Sequence, residues 1–385
     1  MSGSVQRSVI ARGVRSFASG AGEKESALRI AVVASSEISG GAEEYLHRLY
    51  SQFRRCFDAE PYLVGALPRW SEEVGDVYPA GVTPKLTRRR PLLRQSVSAV
   101  ASVPEILAEI SRIDPDVVHI QYFKEKLTLP ILLKRRGYPV VWTEHAPLPN
   151  NFPPGATRIL RRQALSATVI AISDGVTKSL SDAGISSTLI RNPLPEIPST
   201  PVGAVRVSVE SAGSVVYLGR LHRNKRVDLL VAAARLLPAV PFEIAGDGPE
   251  LVRLKREAPA NVTFHGHVSD PSLILRRARL VVITSGRPAR EGAPLAMLEA
   301  RAAGKRVLMA EDCHAMTEAA SLGCASFAPD ANSLARSISA MPISDSPLSE
   351  EVRLERSLRV WAEAHYRVMA TVKRDRTTSS VQELS

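Results

Sequence analysis

Residues 214–230 read SVVYLGRLHRNKRVDLL. An apolar run rich in β-branched residues stops at Gly219-Arg220, a basic turn follows, and helical spacing resumes at Val227. That order predicts a buried strand, a loop and a helix. The same unit recurs downstream, at PFEIAG (241–246), NVTFHG (261–266), LVVITS (280–285), RVLMA (306–310) and CASFAP (324–329). It also recurs upstream, at LRIAVVAS (28–35), DVVHIQY (116–122), PVVWTEH (139–145), ATVIAIS (167–173) and STLIRN (187–192). Between the upstream runs lie helix-spaced segments such as VPEILAEISRI (103–113). Strands alternating with helices imply parallel sheets covered on both faces.

The series is interrupted once, by PLPEIPSTPVG (193–203), which holds four prolines and no periodicity. A chain of 385 residues exceeds one ordinary core. The expected class is α/β, with two Rossmann-like domains facing across a cleft. The first spans 28–193 and the second 205–357, joined by a linker at 194–204. The last helical pattern, 349–372, carries Leu358, Trp361, Ala362 and Tyr366. Residues 1–27 and 374–385 are expected to be disordered tails. The first tail is Arg-rich with no acid before Glu23, which also fits a transit peptide.

Composition narrows the function. The net charge of +11 is shared, because residues 1–198 hold 25 Lys+Arg and 19 Asp+Glu. Such an excess attracts phosphates and anionic membranes. No nucleic-acid module or aromatic platform accompanies it, so nucleic acid is not an expected partner. The densest cluster is Arg88, Arg89, Arg90 and Arg94, either a solvated loop or a surface for an anionic acceptor or lipid headgroups. No apolar run reaches the ~20 residues of a membrane span. Cys56, Cys313 and Cys324 form no metal-ligand pattern. These features point to a reducing cytoplasm, with peripheral contact at the inner face of a membrane allowed by the charge.

Two segments carry the chemistry. In SGRPAREGAPLAMLEARAAGKRV, Glu291 precedes Gly292, Ala293, Pro294 and Leu295, and Glu299 follows eight residues after Glu291. A loop that opens a helix presents N–H groups and a positive dipole end to a phosphate or a sugar hydroxyl. Eight helical steps would separate the glutamates by ~12 Å, beyond the ~5–9.5 Å of a glycosidase pair. In the second segment, Gly219 and Arg220 end a strand and Lys225 precedes a helix. Two cations on one rim can neutralise a diphosphate and stabilise it as a leaving group. Arg223 and Arg226 are either further phosphate ligands or solvated. Gly40-Gly41 after the first strand is a close-approach loop or a plain tight turn. His145 is either a cleft residue touching a sugar or a structural histidine. His119 reads as a packed strand residue, His222 as a phosphate-side residue, and Asp247-Gly248 as a turn and cap.

Together these motifs resemble the retaining glycosyltransferases of family 4, which have the two-domain GT-B fold. GRLHRNKRVDLL is similar to their Gly-Arg-Leu…Lys-Gly segment, IAGDGPELVRL to their glycine-rich turn, EGAPLAMLEARAAGKRV to their Glu-x7-Glu block, and SGGAEEYLHRL to their Gly-Gly loop. The resemblance covers roughly residues 28–372. It implies transfer of a hexose-type sugar from a nucleotide-diphosphate sugar to a carbohydrate or lipid-linked acceptor, with retention and without a metal or other cofactor. Arg220 and Lys225 would bind the diphosphate. Glu291 would lie at the donor sugar, with the backbone of 292–295 on its hydroxyls and phosphate. Glu299 would bind the ribose. Gly40 and Gly41 would face the phosphate or acceptor, and His145 the reacting carbon. The C-terminal helix, about 358–373, would cross back to the first domain. Arg226 stands where the family has Gly, Ala293 where it has a bulkier residue, and Ala146 follows His145. Two other readings share the fold features: a nucleotide-sugar epimerase, which would convert donor alone, and a non-catalytic protein binding sugars or anionic surfaces.

Overall fold

The computed structural model describes residues 26–37, 40–71, 74–78, 101–149, 154–196, 213–268 and 270–374. The Arg88–Arg94 cluster, nearly all of the first tail, the second tail beyond Arg374 and most of the linker lie outside the described residues.

Two all-parallel sheets form the chain. The first contains β1 (Leu28–Ser35), β2 (Ala59–Ala66), β3 (Asp76–Tyr78), β4 (Val117–Ile120), β5 (Val140–Glu144), β6 (Thr168–Ala171) and β7 (Thr188–Leu189). Their spatial order is β3-β2-β1-β4-β5-β6-β7. The second contains β8 (Ser214–Leu218), β9 (Phe242–Ala245), β10 (Val262–Gly266), β11 (Ala278–Ile283), β12 (Arg306–Ala310) and β13 (Ala325–Phe327), ordered β10-β9-β8-β11-β12-β13. Each order reverses beside its first strand, between β1 and β4 and between β8 and β11. The loops leave in opposite directions there, so a crevice opens at the carboxyl ends.

Side chains alternate between two core layers across the second sheet. Val216, Leu218, Val281, Ile283, Val307 and Met309 pack on one face. Val215, Tyr217, Leu280, Val282, Leu308 and Ala310 pack on the other. Both faces are therefore dry, and the strands read as continuous apolar runs.

Strands β2 and β3 have no counterpart in the sequence reading. Pro61 interrupts β2, and a proline inside a run argues against a strand. It is tolerated because β3 joins only from Tyr62 onward, leaving that end of β2 unpaired on its outer side. The helical pattern at 349–372 is also broken, into helices Glu350–Glu355 and Leu358–Val372. The break sits where Arg356 leaves the helix to meet the linker. Its carbonyl accepts from Leu194 N at 2.8 Å, and its guanidinium donates to Asn192 O at 2.6 Å. Ser357 then caps the second helix through Val360 N.

That last helix completes the first domain's core with Trp361, Ala362 and Met369. A buried polar chain fixes it. His365 Nδ1 donates to Trp361 O at 2.8 Å, so its Nε2 accepts from the Tyr45 hydroxyl. Tyr45 lies close to Thr143. Thr143 Oγ1 accepts from His119 Nε2 at 2.9 Å, and His119 Nδ1 accepts from Tyr50 at 2.6 Å. These directions give each ring one donating and one accepting nitrogen, as a neutral imidazole has. Burial enforces this, pulling His119 down to about 3, with His365 and Lys126 adding to it, and His365 down to about 4. His119 is a packed strand residue, as its sequence position suggests.

Folded pKa values below the unfolded ~6.5 mean that the unfolded chain binds more protons as pH falls. Stability from this chain is complete above about pH 6.5. It is lost on acidification at up to ~1.4 kcal/mol per pH unit for each histidine. Urea unfolding should therefore show a steeper loss between pH 6.5 and 4.5 for wild type than for His365→Asn. Parallel pH profiles would contradict neutral burial of His365.

Candidate functional site

The second domain supplies a rim of glycines and charges. After β8, Gly219 and the equivalent Gly246 after β9 lie backbone to backbone. A Cβ on Gly246 would sit 1.8 Å from Gly219 O, so only glycine fits. Arg220 is exposed, while Leu221 is buried and anchors the loop. A short 3-10 turn, Arg223–Lys225, then aims Lys225 at the loop following β11. Lys225 Nζ pairs with Glu291 Oε1, which also accepts from Ser285 Oγ at 3.0 Å. Lys225 O accepts from Thr284 Oγ1 at 2.6 Å, stitching the two loops together.

Arg226 does not join this rim. It adopts the left-handed conformation, φ 51°, which favours glycine. Its guanidinium bonds Thr284 O at 2.9 Å and both Asp312 oxygens at 3.0 and 2.6 Å. A bidentate pair of this kind offsets the ~1–2 kcal/mol conformational cost. Gly286 makes room, since a Cβ there would lie 2.4 Å from the guanidinium carbon. His222 is likewise absent from the lining, because its ring bonds Asn224 and caps the 3-10 turn. Asp247 Oδ1 accepts from Gly248 N at 2.6 Å, holding a tight turn on the cavity wall.

The loop from 286 to 294 crosses to the first domain. Arg290 Nε donates to Pro147 O at 2.7 Å. Gly292 presses on the His145 backbone: a Cβ would lie 2.3 Å from His145 O. Ala293 packs on the cores of both domains, where a bulkier residue would have to be accommodated. Pro294 is the extended N-cap rather than part of the helix, which spans Leu295–Ala302. No side chain caps the first turn, and Leu295 and Ala296 line the cavity. Since residues 291–294 are not helical, the all-helical glutamate spacing does not describe this site.

The first domain supplies Gly40, the extended N-cap of helix Gly41–Cys56, and Gly41, whose added Cβ would lie 3.6 Å from Leu295. The ring of His145 packs edge-on against Tyr45 at 4.6 Å. Its Nε2 meets Gln121 Oε1 at 2.8 Å, and Gln121 Nε2 donates to Ala42 O at 2.8 Å. A carbonyl only accepts, so Gln121 Oε1 faces the ring and His145 Nε2 carries the proton. Between the domains lies a cavity of about 1090 Å³. Gly40, Gly41, His145, Gly219, Arg220 and Lys225 line it, with Glu291, Gly292, Ala293, Pro294, Leu295 and Glu299 opposite or beside them.

A family model described as Glycosyltransferase Family 4 matches residues 39–196, and one described as Glycosyl transferases group 1 matches 212–341. The chain belongs to the family 4, group 1 glycosyltransferases. Its fold is GT-B. HepE from Anabaena, solved with UDP and glucose, is 18% identical with a TM-score of 0.67, covering 89% of this chain and 100% of its own. Sucrose-phosphate synthase from Thermosynechococcus elongatus is 18% identical with a TM-score of 0.71, covering 90% and 99%. The lipopolysaccharide outer core galactosyltransferase WaaB is 16% identical with a TM-score of 0.63, covering 89% and 99%. No curated protein matches the chain by sequence.

The cavity of this glycosyltransferase also holds Glu44, Arg48 and Arg69, which the motifs did not reveal. Glu44 accepts from Arg48 Nε at 2.7 Å and Arg69 Nη1 at 2.6 Å. Burial opposes its ionisation, but these guanidiniums win and hold its carboxyl below the ordinary value. The Glu44-Arg48 spacing of four was legible on an amphipathic helix. Arg69, following the unrecognised β2, was not.

Glu299 sits across from this trio. Burial raises its pKa; Arg48 partly counters this, and Glu44 adds to it. A raised folded pKa makes the carboxylate a stability cost at neutral pH, relieved as pH falls through that pKa. Glu299→Gln should therefore melt higher than wild type at pH 7, with the difference vanishing below about pH 4. A variant that melts lower at pH 7 would show that Glu299 supports the fold.

Proposed function

We propose that this glycosyltransferase moves a hexose-type sugar from a nucleoside-diphosphate sugar to a carbohydrate or lipid-linked acceptor, with retention of anomeric configuration and without a metal ion. The observation that carries the reading is the Lys225–Glu291 pair in the cavity, beside Arg220 and an uncapped helix start. A diphosphate entering between Arg220 and Lys225 would draw Lys225 from Glu291. The freed carboxylate would then accept hydrogen bonds from donor-sugar hydroxyls. One group thus binds the leaving phosphate and another the sugar, through a single exchange of partners. UDP and glucose in the HepE structure, and UDP-glucose in another, support a nucleotide-sugar donor.

The chemistry follows from charge. Breaking the bond between the sugar carbon and the phosphate oxygen puts a second negative charge on the departing β-phosphate. Arg220, Lys225 and the backbone N–H groups of Gly292, Ala293 and Leu295 would compensate it without reorganisation. Two cations perform the neutralisation that a divalent ion performs elsewhere. Glu299 would accept from ribose hydroxyls, and its desolvation would be offset by those bonds. Gly40 and Gly41 would let the acceptor or phosphate approach the first domain's backbone. His145, fixed by Gln121 and Tyr45, would form the wall beside the reacting carbon. No helix among the described residues is long and apolar enough to cross a membrane. A cytoplasmic enzyme acting at the inner membrane face is consistent with that.

Thermal-shift titration with UDP, GDP and ADP should identify a stabilising nucleotide. Arg220→Ala and Lys225→Ala should each weaken it by about 10- to 100-fold, the worth of a hydrogen bond to a charged group. Wild-type affinity in both variants would remove these residues from the donor site. NMR of the product's anomeric proton tests retention. Undiminished turnover in EDTA tests metal independence.

A further inference from the structure

A basic flank of the first domain carries no partner of its own. Helix Pro154–Ala164 turns Arg158, Arg161 and Arg162 to solvent, with Ile159 among them. Ile159 is 52% exposed, and Leu165, immediately after the helix, is 77% exposed. The end of helix Pro130–Arg135 adjoins it, through Lys134 Nζ donating to Leu165 O at 3.3 Å. This brings Lys134, Arg135 and Arg136, all exposed, to the same flank. Among the described residues, none of these six cations has an acidic partner within ion-pair distance. Several surface cations elsewhere, Arg112, Lys178, Arg191 and Arg253 among them, pair with carboxylates. The acid of the preceding helix, Phe123–Thr128, is Glu125, which is buried with Lys124.

We propose that this flank docks the enzyme on the surface of an anionic bilayer. Unpaired cations alone would suit any polyanion. Two large aliphatic side chains set among them favour a surface with a polar, charged face over an apolar interior. Nucleic acid would call for aromatic stacking platforms, and among the described residues no aromatic of this flank is exposed. Each cation near anionic headgroups tightens binding roughly fivefold, and the aliphatic contacts add a salt-independent part. The topology keeps the cleft free. The helix begins at the carboxyl edge of the sheet, after β5, and ends at the opposite edge, before β6. Leu165 and residues 134–136 therefore mark the corner furthest from the second domain.

The test is co-sedimentation of the full chain with vesicles of phosphatidylcholine, alone or with about a third phosphatidylglycerol. It needs no turnover, so it stands apart from the identity of the donor. Binding is expected only with the anionic lipid. Arg158→Glu/Arg161→Glu/Arg162→Glu should lower it at least tenfold at moderate salt, and Ile159→Ser/Leu165→Ser severalfold at any salt. Lys255→Glu/Arg256→Glu/Arg336→Glu reverses as many exposed charges in the second domain and should leave binding near wild type. All of these residues are solvent-exposed, so folding is checked by unchanged melting. Equal losses in the two triple variants would reduce the effect to net charge and overturn the assignment. So would absence of binding to anionic vesicles. Displacement by RNA with no effect of Ile159→Ser/Leu165→Ser would point to nucleic acid instead.

Discussion

Two backbone contacts set the width of the cleft, and the site exists only at that width. Gly292 of the second domain lies against His145 O, and Gly175 of the first lies against His314 O. A Cβ at either glycine would come within 2.3 Å of the facing carbonyl. Nothing larger than hydrogen fits at either place. Charge reinforces the second contact. Glu318, fully buried on the second domain, is paired with Arg191 of the first and with Arg356 beside the linker. Arg191 also binds Asp174 at 2.9 Å. Removing one member of such a set strands a buried charge. In this arrangement the distance from Arg220 and Lys225 to the His145 wall is set by these contacts between the domains.

Arg226 shows how a departure from a family pattern becomes intelligible only in three dimensions. In sequence it is another cation in a basic turn. In the structure it occupies a left-handed position suited to glycine, and its charge is spent on Asp312 and Thr284. The same residue that loses conformational ease gains a bidentate partner, and Gly286 is small for its sake. On the cavity rim Arg220 is exposed, and Lys225 is paired with Glu291.

The second domain was the more legible half because its strands are short, apolar and separated by glycine turns. Its motifs lie within a few residues of those strands, so sequence spacing translates directly into position on one rim. The first domain hid more. Pro61 masked β2, and with it Arg69. The triad of Glu44, Arg48 and Arg69 depends on a long-range approach that no local spacing encodes. The helix break at Arg356 was invisible for the same reason: local periodicity continues through it, and only the linker's carbonyl and amide explain why the chain turns aside. The glutamate spacing failed where Pro294 ended extended chain rather than beginning helix.

The return of the last helix to the first domain has a mechanical meaning. The chain passes between the domains twice, after Leu194 and again near Arg356, and the two passages are hydrogen-bonded to each other. Two tethers set far apart would lock the halves, and one tether would let them tumble. Two tethers fused side by side act as a single pivot. Motion of one half against the other is then confined to swinging about that line, with the far lips of the cleft travelling most. Residues near the pivot, such as Asn192, would keep their neighbours in such a swing, while Gly41 and Leu295 across the cleft would part.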